Sequence, residues 1–387
     1  MSWKKVKLGD VSESCLGKML DQQKNRGEFH PYLANVNVRW GSFDLEDLPL
    51  MKFEDSEQER YGLKYGDLVV CEGGEPGRCA IWKNQIPNMK IQKALHRVRV
   101  NSDMDYRYLF YWFLYAGKRG ALDQYFTGAT IKHMPGEKLK QVLIDKPPLK
   151  EQKRIADILS AYDNLIENNQ KQIKLLEEAA QRLYKEWFVD LRFPGHEDTR
   201  IVDGVPEGWR KEKLVDLATV QFGYAFDGSL FNSNGNGTPI VRIRNIPDGF
   251  TNDYTTENAP EEYIINNGDI VVGMDGEFHI NSWSGETSYL VQRSCCFKPH
   301  NPKMKGWLLW AIYDPIKFFE KTVVGATVAH LGKKHIDTIE LLTGPEKLYE
   351  PFQNLFCKRQ TLFNQNRKLA ESRNRLLPKL MNGELET

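Results

Sequence analysis

The chain has 387 residues, of which 41% are hydrophobic and 27% charged, and its formal net charge is +1. This length and composition are typical of a soluble protein of two or three domains. No apolar run approaches the ~20 residues that a membrane span needs, and no apolar targeting segment follows Met1, so we expect a cytoplasmic protein without a membrane partner. Because the net charge is near zero, the protein as a whole does not attract a polyanion, and any polyanion-binding site must be a local positive patch.

Two further features of the composition limit the possible sites. Residues 1–147 carry 23 Lys/Arg against 19 Asp/Glu, whereas residues 191–345 carry 15 against 20. The second half is therefore acidic, which disfavours nucleic-acid binding unless its carboxylates lie away from the polymer. The six cysteines form no CxxC pair and have no histidine at zinc spacing, so we expect reduced thiols and no metal site.

The first 147 residues are predicted to form a globular segment of mixed strands and helices. In Tyr65–Val70, Gly-Asp precedes an apolar, β-branched run, which predicts a turn that leads into a strand. The Gly-rich stretch Glu72–Gly77 predicts the next tight turn. The aromatic stretch Tyr106–Tyr115 is helix-like. This mixture predicts an α+β fold.

A long amphipathic helix is predicted to follow. Pro147-Pro148 marks its start and Pro194-Gly195 lies just past its end, because proline cannot lie inside a regular helix. Between them, seam residues recur in alternating steps of four and three, which is a heptad pattern: Ile155, Leu159, Tyr162, Ile166, Asn169, Ile173, Leu176, Ala180, Leu183 and Trp187. An apolar stripe of this length cannot face water, so we expect a partner helix.

Three landmarks of the first half return in the same order in the second half. Trp, Leu and Asp of the opening segment recur at a constant offset of 206, and a Gly-Asp element and a Gly-Ala-Thr-x-x-His element recur after it. The matching segments are Trp3–Asp10 and Trp209–Asp216, Tyr65–Val70 and Asn267–Val272, and Gly128–His133 and Gly325–His330. The chain is therefore predicted to be a tandem duplication with a period near 200 residues.

The duplication predicts a second long helix near the C-terminus, where four-three spacing is again present at Leu355, Arg359, Leu362, Asn366, Leu369, Arg373, Leu376 and Leu380. Asn169 and Asn366 lie near the middle of their helices. Antiparallel pairing brings them together, and we expect a hydrogen bond that sets the register of the helix pair. The alternative is that one asparagine faces water. Pro378 is expected to interrupt the last helix.

Several motifs together resemble the specificity subunit of Type I restriction–modification systems. They are Pro147-Pro148-Leu149-Lys150-Glu151-Gln152, Glu186-Trp187-Phe188-Val189-Asp190, Pro206-Glu207-Gly208-Trp209 and the repeated Gly-Ala-Thr-x-x-His element. The resemblance covers essentially the whole chain, although Leu342–Glu346 lacks the Pro-Pro-Leu-x-Glu-Gln form. It implies two target-recognition domains, at 1–147 and 191–345, separated by an antiparallel coiled coil of two spacer helices, at 148–190 and 346–387, with pseudo-two-fold symmetry.

The resemblance also implies the partners. Each half reads one half-site of a bipartite, asymmetric target in double-stranded DNA, and the helices set the gap between half-sites and dock two modification (methyltransferase) subunits. Restriction subunits supply translocase and endonuclease activity. The chain itself is expected to be non-catalytic and to bind no cofactor, because S-adenosylmethionine, ATP and Mg belong to the partner subunits.

Candidate DNA-binding residues come from turn-rich and landmark stretches. Arginine and lysine suit guanine and phosphate, and asparagine suits adenine. Val241–Asn245 alternates, which predicts a strand with both of its arginines on one face. For the Gly-Ala-Thr-x-x-His element the alternative is that its loop packs the globular half against its helix. The candidates are Arg39, Arg78, Lys93, Thr130, Lys132 and His133 in the first half, and Arg242, Arg244, Asn245, Thr327, His330, Lys333 and Lys334 in the second.

Two other classes of protein fit the sequence less well. A DNA methyltransferase needs a Gly-rich cofactor loop and an Asn/Asp-Pro-Pro-aromatic tetrapeptide, but the Pro-Pro pair of this chain lies in Lys146–Leu149. The sequence has no GxxxxGK[ST] phosphate loop, so ATP-driven translocation must come from another subunit. A coiled-coil scaffold without DNA binding explains the helices but not two related globular halves.

Overall fold

The structure, a computed structural model, describes residues 3–21, 25–322 and 329–385. The chain divides into two compact units, one formed by Met1–Asn164 with Ala370–Thr387 and the other by Leu165–Leu369. This division falls within both long helices, so each unit contains a globular part and a segment of each helix. The division into four segments expected from the sequence stays a prediction.

The elements of the first globular part alternate short strands with a few helices. Its strands are β1 (Lys4–Lys7), β2 (Ser12–Leu16), β3 (Glu28–Leu33), β4 (Val38–Arg39), β5 (Ser42–Phe43), β6 (Leu50–Phe53), β7 (Leu68–Cys71), β8 (Cys79–Ile81), β9 (Lys90–Ile91), β10 (Leu95–Val100) and β11 (Leu143–Lys146). Its helices are α1 (Leu8–Val11), α2 (Gln58–Tyr61), α3 (Tyr106–Lys118) and α4 (Gly136–Lys140), and the long helix α5 (Leu149–Tyr184) follows.

The second globular part has a related order, with an additional strand pair at its start, and follows a π-helical turn at Lys185–Val189 that ends the long helix. Its strands are β12 (Ile201–Val202), β13 (Val205–Pro206), β14 (Arg210–Lys213), β15 (Ala218–Phe222), β16 (Phe231–Asn232), β17 (Thr238–Val241), β18 (Tyr254–Thr255), β19 (Ile264–Ile265), β20 (Ile270–Gly273), β21 (Ile280–Ser282), β22 (Ser288–Leu290), β23 (Ser294–Pro299) and β24 (Glu340–Thr343). Its helices are α6 (Leu214–Leu217), α7 (Lys305–Ala311), α8 (Tyr313–Thr322), α9 (Lys333–Ile336) and α10 (Glu350–Met381).

Each unit is built around a sheet whose central strand is buried on both faces. The strand orders are β2-β10-β7-β8 in the first unit and β15-β23-β20-β21 in the second. Side chains alternate across β7: Leu68 and Val70 join the core that contains α3, and Val69 and Cys71 join a second core on the opposite face. An unbroken apolar run suits such a strand, because both of its faces are covered.

The Gly-Asp landmark forms the predicted turn before each central strand. Gly66 and Gly268 adopt φ of +89° and +87°, a left-handed conformation that glycine reaches without strain. The aspartate after each glycine closes the turn with a hydrogen bond to the backbone three residues earlier. Asp67 Oδ2 accepts the Lys64 N–H at 2.7 Å, and Asp269 Oδ2 accepts the Asn266 N–H at 2.9 Å. The recurrence of both contacts confirms the duplication at atomic detail.

A glutamine joins the long helix to the aromatic helix in each unit, and in the first unit this glutamine is buried. Gln152 Oε1 accepts the Asp105 N–H at 2.8 Å, just before α3, and Gln152 Nε2 donates to the Pro147 carbonyl at 2.9 Å. In the second unit, Gln353 Oε1 accepts the Gly306 N–H of α7 at 3.1 Å. The second copy therefore lacks the Pro-Pro-Leu-x-Glu-Gln sequence but retains the contact made by its glutamine.

The helix segments of the second unit run antiparallel. Asn169 Nδ2 donates to Asn366 Oδ1 at 2.9 Å, so the expected hydrogen bond is present, and Asn169 is buried. Further along, the buried Arg359 donates from Nε to Glu177 Oε1 at 2.7 Å. From the first pair to the second, the residue number rises in α5 (169 to 177) and falls in α10 (366 to 359), so the two segments are antiparallel. Arg359 also donates to Asn281 Oδ1 at 2.7 Å, which attaches the helix pair to the globular part.

The helix segments of the first unit share a core, which includes Ile155 and Leu159 of α5 and Leu377 and Leu380 of α10. The expectation that Pro378 interrupts the last helix is wrong, because α10 continues through it to Met381. Proline removes one N–H donor, and three residues from the end of a helix this loss affects a single hydrogen bond. Beyond it, the Asn382 N–H donates to the Pro378 carbonyl at 3.0 Å.

Candidate nucleic-acid interface

In each unit, the turn after the central strand meets the segment that ends the Gly-Ala-Thr-x-x-His element. Gly73 pairs with His133 in an isolated antiparallel bridge, and Asp275 pairs with His330 in the equivalent bridge. The next residue fixes the contact, because the Met134 N–H donates to the Glu72 carbonyl at 2.7 Å. Two landmarks that lie about 60 residues apart in the sequence therefore form one surface.

A third segment completes this surface from the start of the neighbouring strand. Ala94 and Arg293 adopt φ of +83° and +70°, respectively, in the left-handed region. Their carbonyls accept the Glu72 N–H and the Met274 N–H, each at 2.8 Å. We call these three segments the loop cluster: residues 72–78, 92–94 and 127–134 in the first unit, and residues 274–279, 291–293 and 329–331 in the second.

Arg78 holds the loop cluster of the first unit together from inside. Its side chain is only 18% exposed, and it donates from Nη1 to Glu75 Oε2 at 3.1 Å. Nη2 donates to the Asn35 carbonyl at 3.2 Å, and Trp40 Nε1 donates to the other oxygen of Glu75 at 2.6 Å. The Arg78 guanidinium is therefore engaged within the protein, where it holds the loops in position.

The exposed cations of the first loop cluster are its lysines. Lys93 is exposed beside Ala94, and Lys132 lies 3.5 Å from Asp123 and 5.7 Å from the ring centroid of Phe126. An open cavity of about 540 Å³ lies beside Lys132, and its other lining side chains include Trp40, Phe126 and Ile131. Thr130 and His133 are also exposed here. The surface combines positive charge with aromatic rings.

The second loop cluster is organised by one carboxylate. Asp275 Oδ2 lies 2.7 Å from Nη1 of Arg293, and Asp275 Oδ1 lies 2.5 Å from Nδ1 of His330. His330 is among the candidates predicted from the sequence, whereas Asp275 and Arg293 are not, because their place beside His330 depends on the pairing of β20 with β23. Aligning the residue before β23 with its counterpart before β10 reveals the equivalence of Arg293 and Ala94.

The prediction that Val241–Asn245 is a strand is wrong. The strand β17 ends at Val241, and a 3-10 helix covers Ile243–Asn245, because Asn245 Oδ1 accepts the Arg242 N–H at 2.9 Å and turns the chain. The two arginines therefore do not share the face of a strand. Arg244 forms a bidentate pair with Asp253 at 2.7 and 3.1 Å, and Arg242 lies over the Phe231 ring at 5.4 Å.

Both polar atoms of the Asn245 side chain form hydrogen bonds inside the protein. Its Nδ2 donates to Asp253 Oδ2 at 3.2 Å, while Oδ1 caps the 3-10 turn. In the first unit, Asn37 Oδ1 accepts the Ala34 N–H at 2.8 Å in the same way. The recurrence of this cap indicates a structural role for the asparagine in both copies.

The remaining candidates have separate locations. Arg39 is exposed, lies 3.9 Å from Asp44 and donates to the Val38 carbonyl at 3.2 Å. Lys333 and Lys334 are exposed at the start of α9. Thr327 lies outside the residues that the structure describes. Within the described ranges, no cluster of three His, Cys, Asp or Glu side chains could hold a metal ion, and no helix is long and apolar enough to cross a membrane.

Comparison with known proteins identifies the family. The model of the Type I restriction modification DNA specificity domain matches residues 1–178 and 206–345. The chain is 27% identical over 343 residues to the Type I restriction enzyme MjaIX specificity subunit of Methanocaldococcus jannaschii, with 83% of this chain and 78% of that protein covered. It is 29% identical over 286 residues to the MjaVIII specificity subunit of the same organism, with 70% and 64% covered.

A solved structure shares the fold. The crystal structure of the S subunit of a Type I restriction–modification system from M. genitalium matches with a TM-score of 0.55 at 15% identity, covering 100% of this chain and 97% of that one. The prediction of a duplicated α+β chain with two long antiparallel helix segments is confirmed. The match of the family model to both halves means that this chain belongs to the DNA specificity subunits of Type I restriction–modification systems.

Proposed function

We propose that the chain gives a Type I restriction–modification complex its DNA target by reading two different half-sites, one with each loop cluster. The half-sites form a bipartite, asymmetric sequence in double-stranded DNA. The chain acts without catalysing a reaction, in line with the specificity role of its family.

One observation carries this proposal: the two loop clusters share a backbone and differ in their side chains. The turn after the central strand, the left-handed residue and the bridge to a histidine recur with matching hydrogen bonds. On this common frame Gly73 corresponds to Asp275, and Ala94 corresponds to Arg293. A constant scaffold with variable side chains suits the recognition of two unrelated half-sites, because bases are distinguished by the donors and acceptors that side chains present.

The candidate residues divide by their contacts. In the first unit, exposed side chains able to reach a duplex are Arg39, Lys93, Thr130, Lys132 and His133, and in the second they are His330, Lys333 and Lys334. We assign Arg78, Arg242, Arg244 and Asn245 to holding loops in position. Arg242 lies over the Phe231 ring, and the polar atoms of the other three form hydrogen bonds within the protein. Thr327 remains a candidate from the sequence.

The acidity of the second half is compatible with this proposal because several carboxylates serve as internal partners. Asp253 binds Arg244, and Asp275 binds Arg293. Such pairs lower the net positive charge of the surface but keep directional N–H donors. Specific recognition depends on these donors, whereas non-specific attraction depends on net charge.

The helices and partner subunits complete the proposal. The pair formed by α5 and α10 sets the gap between the half-sites and docks two methyltransferase subunits, and restriction subunits join them. S-adenosylmethionine, ATP and Mg are bound by those partners. The complex acts in the cytoplasm, where it meets DNA.

Exchange of one half tests this proposal. Residues 1–147 are replaced by the corresponding segment of another specificity subunit. The chimera is assembled with the methyltransferase subunits of the system to which the present chain belongs. Sequencing of the methylated DNA is expected to show one half-site changed and the other intact. The matched chimera with residues 191–345 replaced is expected to show the reverse. A change in both half-sites from either exchange would contradict independent reading.

A further inference from the structure

Arg293 in the second loop cluster has a backbone conformation that is unusual for a surface arginine. Arg293 has φ of +70°, and its carbonyl accepts the Met274 N–H at 2.8 Å. Its counterpart Ala94 has the same backbone conformation, so the left-handed turn belongs to the fold and not to the arginine. The backbone at this position is therefore the same in both units, and only the side chain differs. The Arg293 side chain is 61% exposed.

Asp275 fixes the direction of this side chain. Its Oδ2 atom accepts from Nη1 of Arg293 at 2.7 Å, and its other oxygen contacts His330. The counterpart of Asp275 in the first unit is Gly73, which has no side chain. Asp275 and Arg293 thus occur together in the second unit, and neither side chain is present at the equivalent positions of the first.

The chemistry of the pair favours a base over a phosphate. The carboxylate cancels much of the arginine charge, which weakens attraction to the DNA backbone. The Asp275 carboxylate also holds the Arg293 guanidinium in one orientation. Nε and Nη2 of Arg293 have no hydrogen-bond partner among the described residues. An arginine has five N–H donors, so one edge can bind Asp275 while another offers the two parallel donors that match O6 and N7 of guanine.

We propose that Arg293 reads a guanine in the half-site recognised by the second unit, and that Asp275 is the positioning residue that holds its guanidinium. This inference rests on the proposed function.

The test uses the complete complex of this chain with its methyltransferase subunits and S-adenosylmethionine. The substrates are duplex libraries in which the half-site of the second unit is randomised, and methylated molecules are sequenced. The main variant is Arg293→Gly, since glycine adopts the left-handed backbone without strain and removes the side chain alone. The control is Arg192→Ala, which removes an arginine that is 54% exposed and paired with Glu186 at 2.7 Å.

For Arg293→Gly we expect the preference for guanine to fall at one position of this half-site by roughly 5- to 140-fold, the value of one bidentate contact. The other half-site and the thermal unfolding midpoint are expected to be retained. Arg293→Lys, which keeps the charge but not the fork, is expected to lose most of the same preference. Asp275→Asn is expected to weaken the preference at that position less, and Arg192→Ala to leave it unchanged.

Three outcomes would overturn this inference. They are an unchanged preference in Arg293→Gly and Arg293→Lys, an equal fall in methylation of all sequences, which indicates a phosphate contact, and a change in the half-site of the first unit. Failure of the proposed function gives a different result: the wild-type complex then methylates the library without any preference in this half-site. If Arg293→Gly fails to fold, Arg293→Lys gives the decisive comparison.

Discussion

At the scale of single residues, His96 links the first loop cluster to the core. It lies in β10, is fully buried, and its Nε2 is 3.1 Å from the Met134 carbonyl, beside the bridge between Gly73 and His133. Burial lowers the pKa of His96, and this effect outweighs the Met134 hydrogen bond and the nearby Glu72 carboxylate, which both act to raise it. The folded chain therefore favours neutral imidazole.

The lowered pKa predicts a loss of stability in mild acid. Unfolded His96 takes up a proton as the pH falls through about 6.5, whereas folded His96 resists it. The free energy of unfolding is thus expected to fall below this pH, with His96 contributing up to about 1.4 kcal/mol per pH unit until its folded pKa is reached. His96→Gln is expected to make the slope between pH 7 and pH 5 shallower in urea titrations. An unchanged slope would contradict this assignment.

At the scale of elements, a polar pair lies between the helix segments of the second unit, with Asn169 buried and Asn366 half-buried. Changing Asn169 or Asn366 alone to leucine leaves the other amide without its partner, at an expected cost of about 1–3 kcal/mol. Changing both is expected to be nearly neutral or stabilising, with some loss of register. A double-mutant cycle in urea measures the coupling energy.

The control for this cycle combines Asn169→Leu with Arg182→Ala, because Arg182 is exposed and pairs weakly with Glu178 at 3.7 Å. These two changes are expected to be additive within about 0.5 kcal/mol. A cycle for Asn169 and Asn366 that is equally additive would mean that their hydrogen bond does not set the register.

The length of the helices gives a second prediction at this scale. Inserting four residues after Leu183, with four matched residues near Leu355, lengthens each helix by about 6 Å and nearly preserves the direction of its seam. At about 3.4 Å per base pair, the half-sites are expected to move apart by one or two base pairs with their sequences unchanged. Methylation mapping of the assembled complex measures the gap. Retention of the original gap would mean that the partner subunits set it.

The long helices were predictable from sequence because their signals are strong and repeated. Prolines mark the start of α5 at Leu149, and the heptad seam of both helices is buried or half-buried in the structure. The five residues Val241–Asn245 gave a weaker signal. Their alternation suggested a strand, but a single side-chain cap from Asn245 overrode it. Short patterns are easily overridden, because one local hydrogen bond can outweigh the propensity of a few residues.

The candidate site was only partly predictable for a different reason. The Gly-Asp and histidine landmarks were visible as repeats, but a repeat search finds what two copies share. Asp275 and Arg293 correspond to Gly73 and Ala94, so the residues that distinguish the copies were hidden from that search. Their proximity depends on strand pairing and on backbone hydrogen bonds that the sequence does not display.

At the scale of the whole molecule, duplication explains why one chain can carry two specificities. Each unit has its own sheet, cores and loop cluster, and each takes a segment of both long helices. Side chains on one loop cluster can therefore change without disturbing the contacts that build the other. Divergence of the two copies after duplication yields two half-sites, and the shared backbone keeps both surfaces competent to meet a duplex.

Methylation mapping tests the central claim most directly. Genomic DNA is sequenced for methylated bases from cells that carry the methyltransferase and restriction subunits with this chain, and from matched cells that lack it. The purified chain is also incubated alone with labelled S-adenosylmethionine and DNA. We predict one bipartite, asymmetric methylated sequence that appears only when the chain is present, and no methyl transfer by the chain alone. The same methylated sequence in cells without the chain, or methyl transfer by the isolated chain, would contradict the assignment of a non-catalytic specificity subunit.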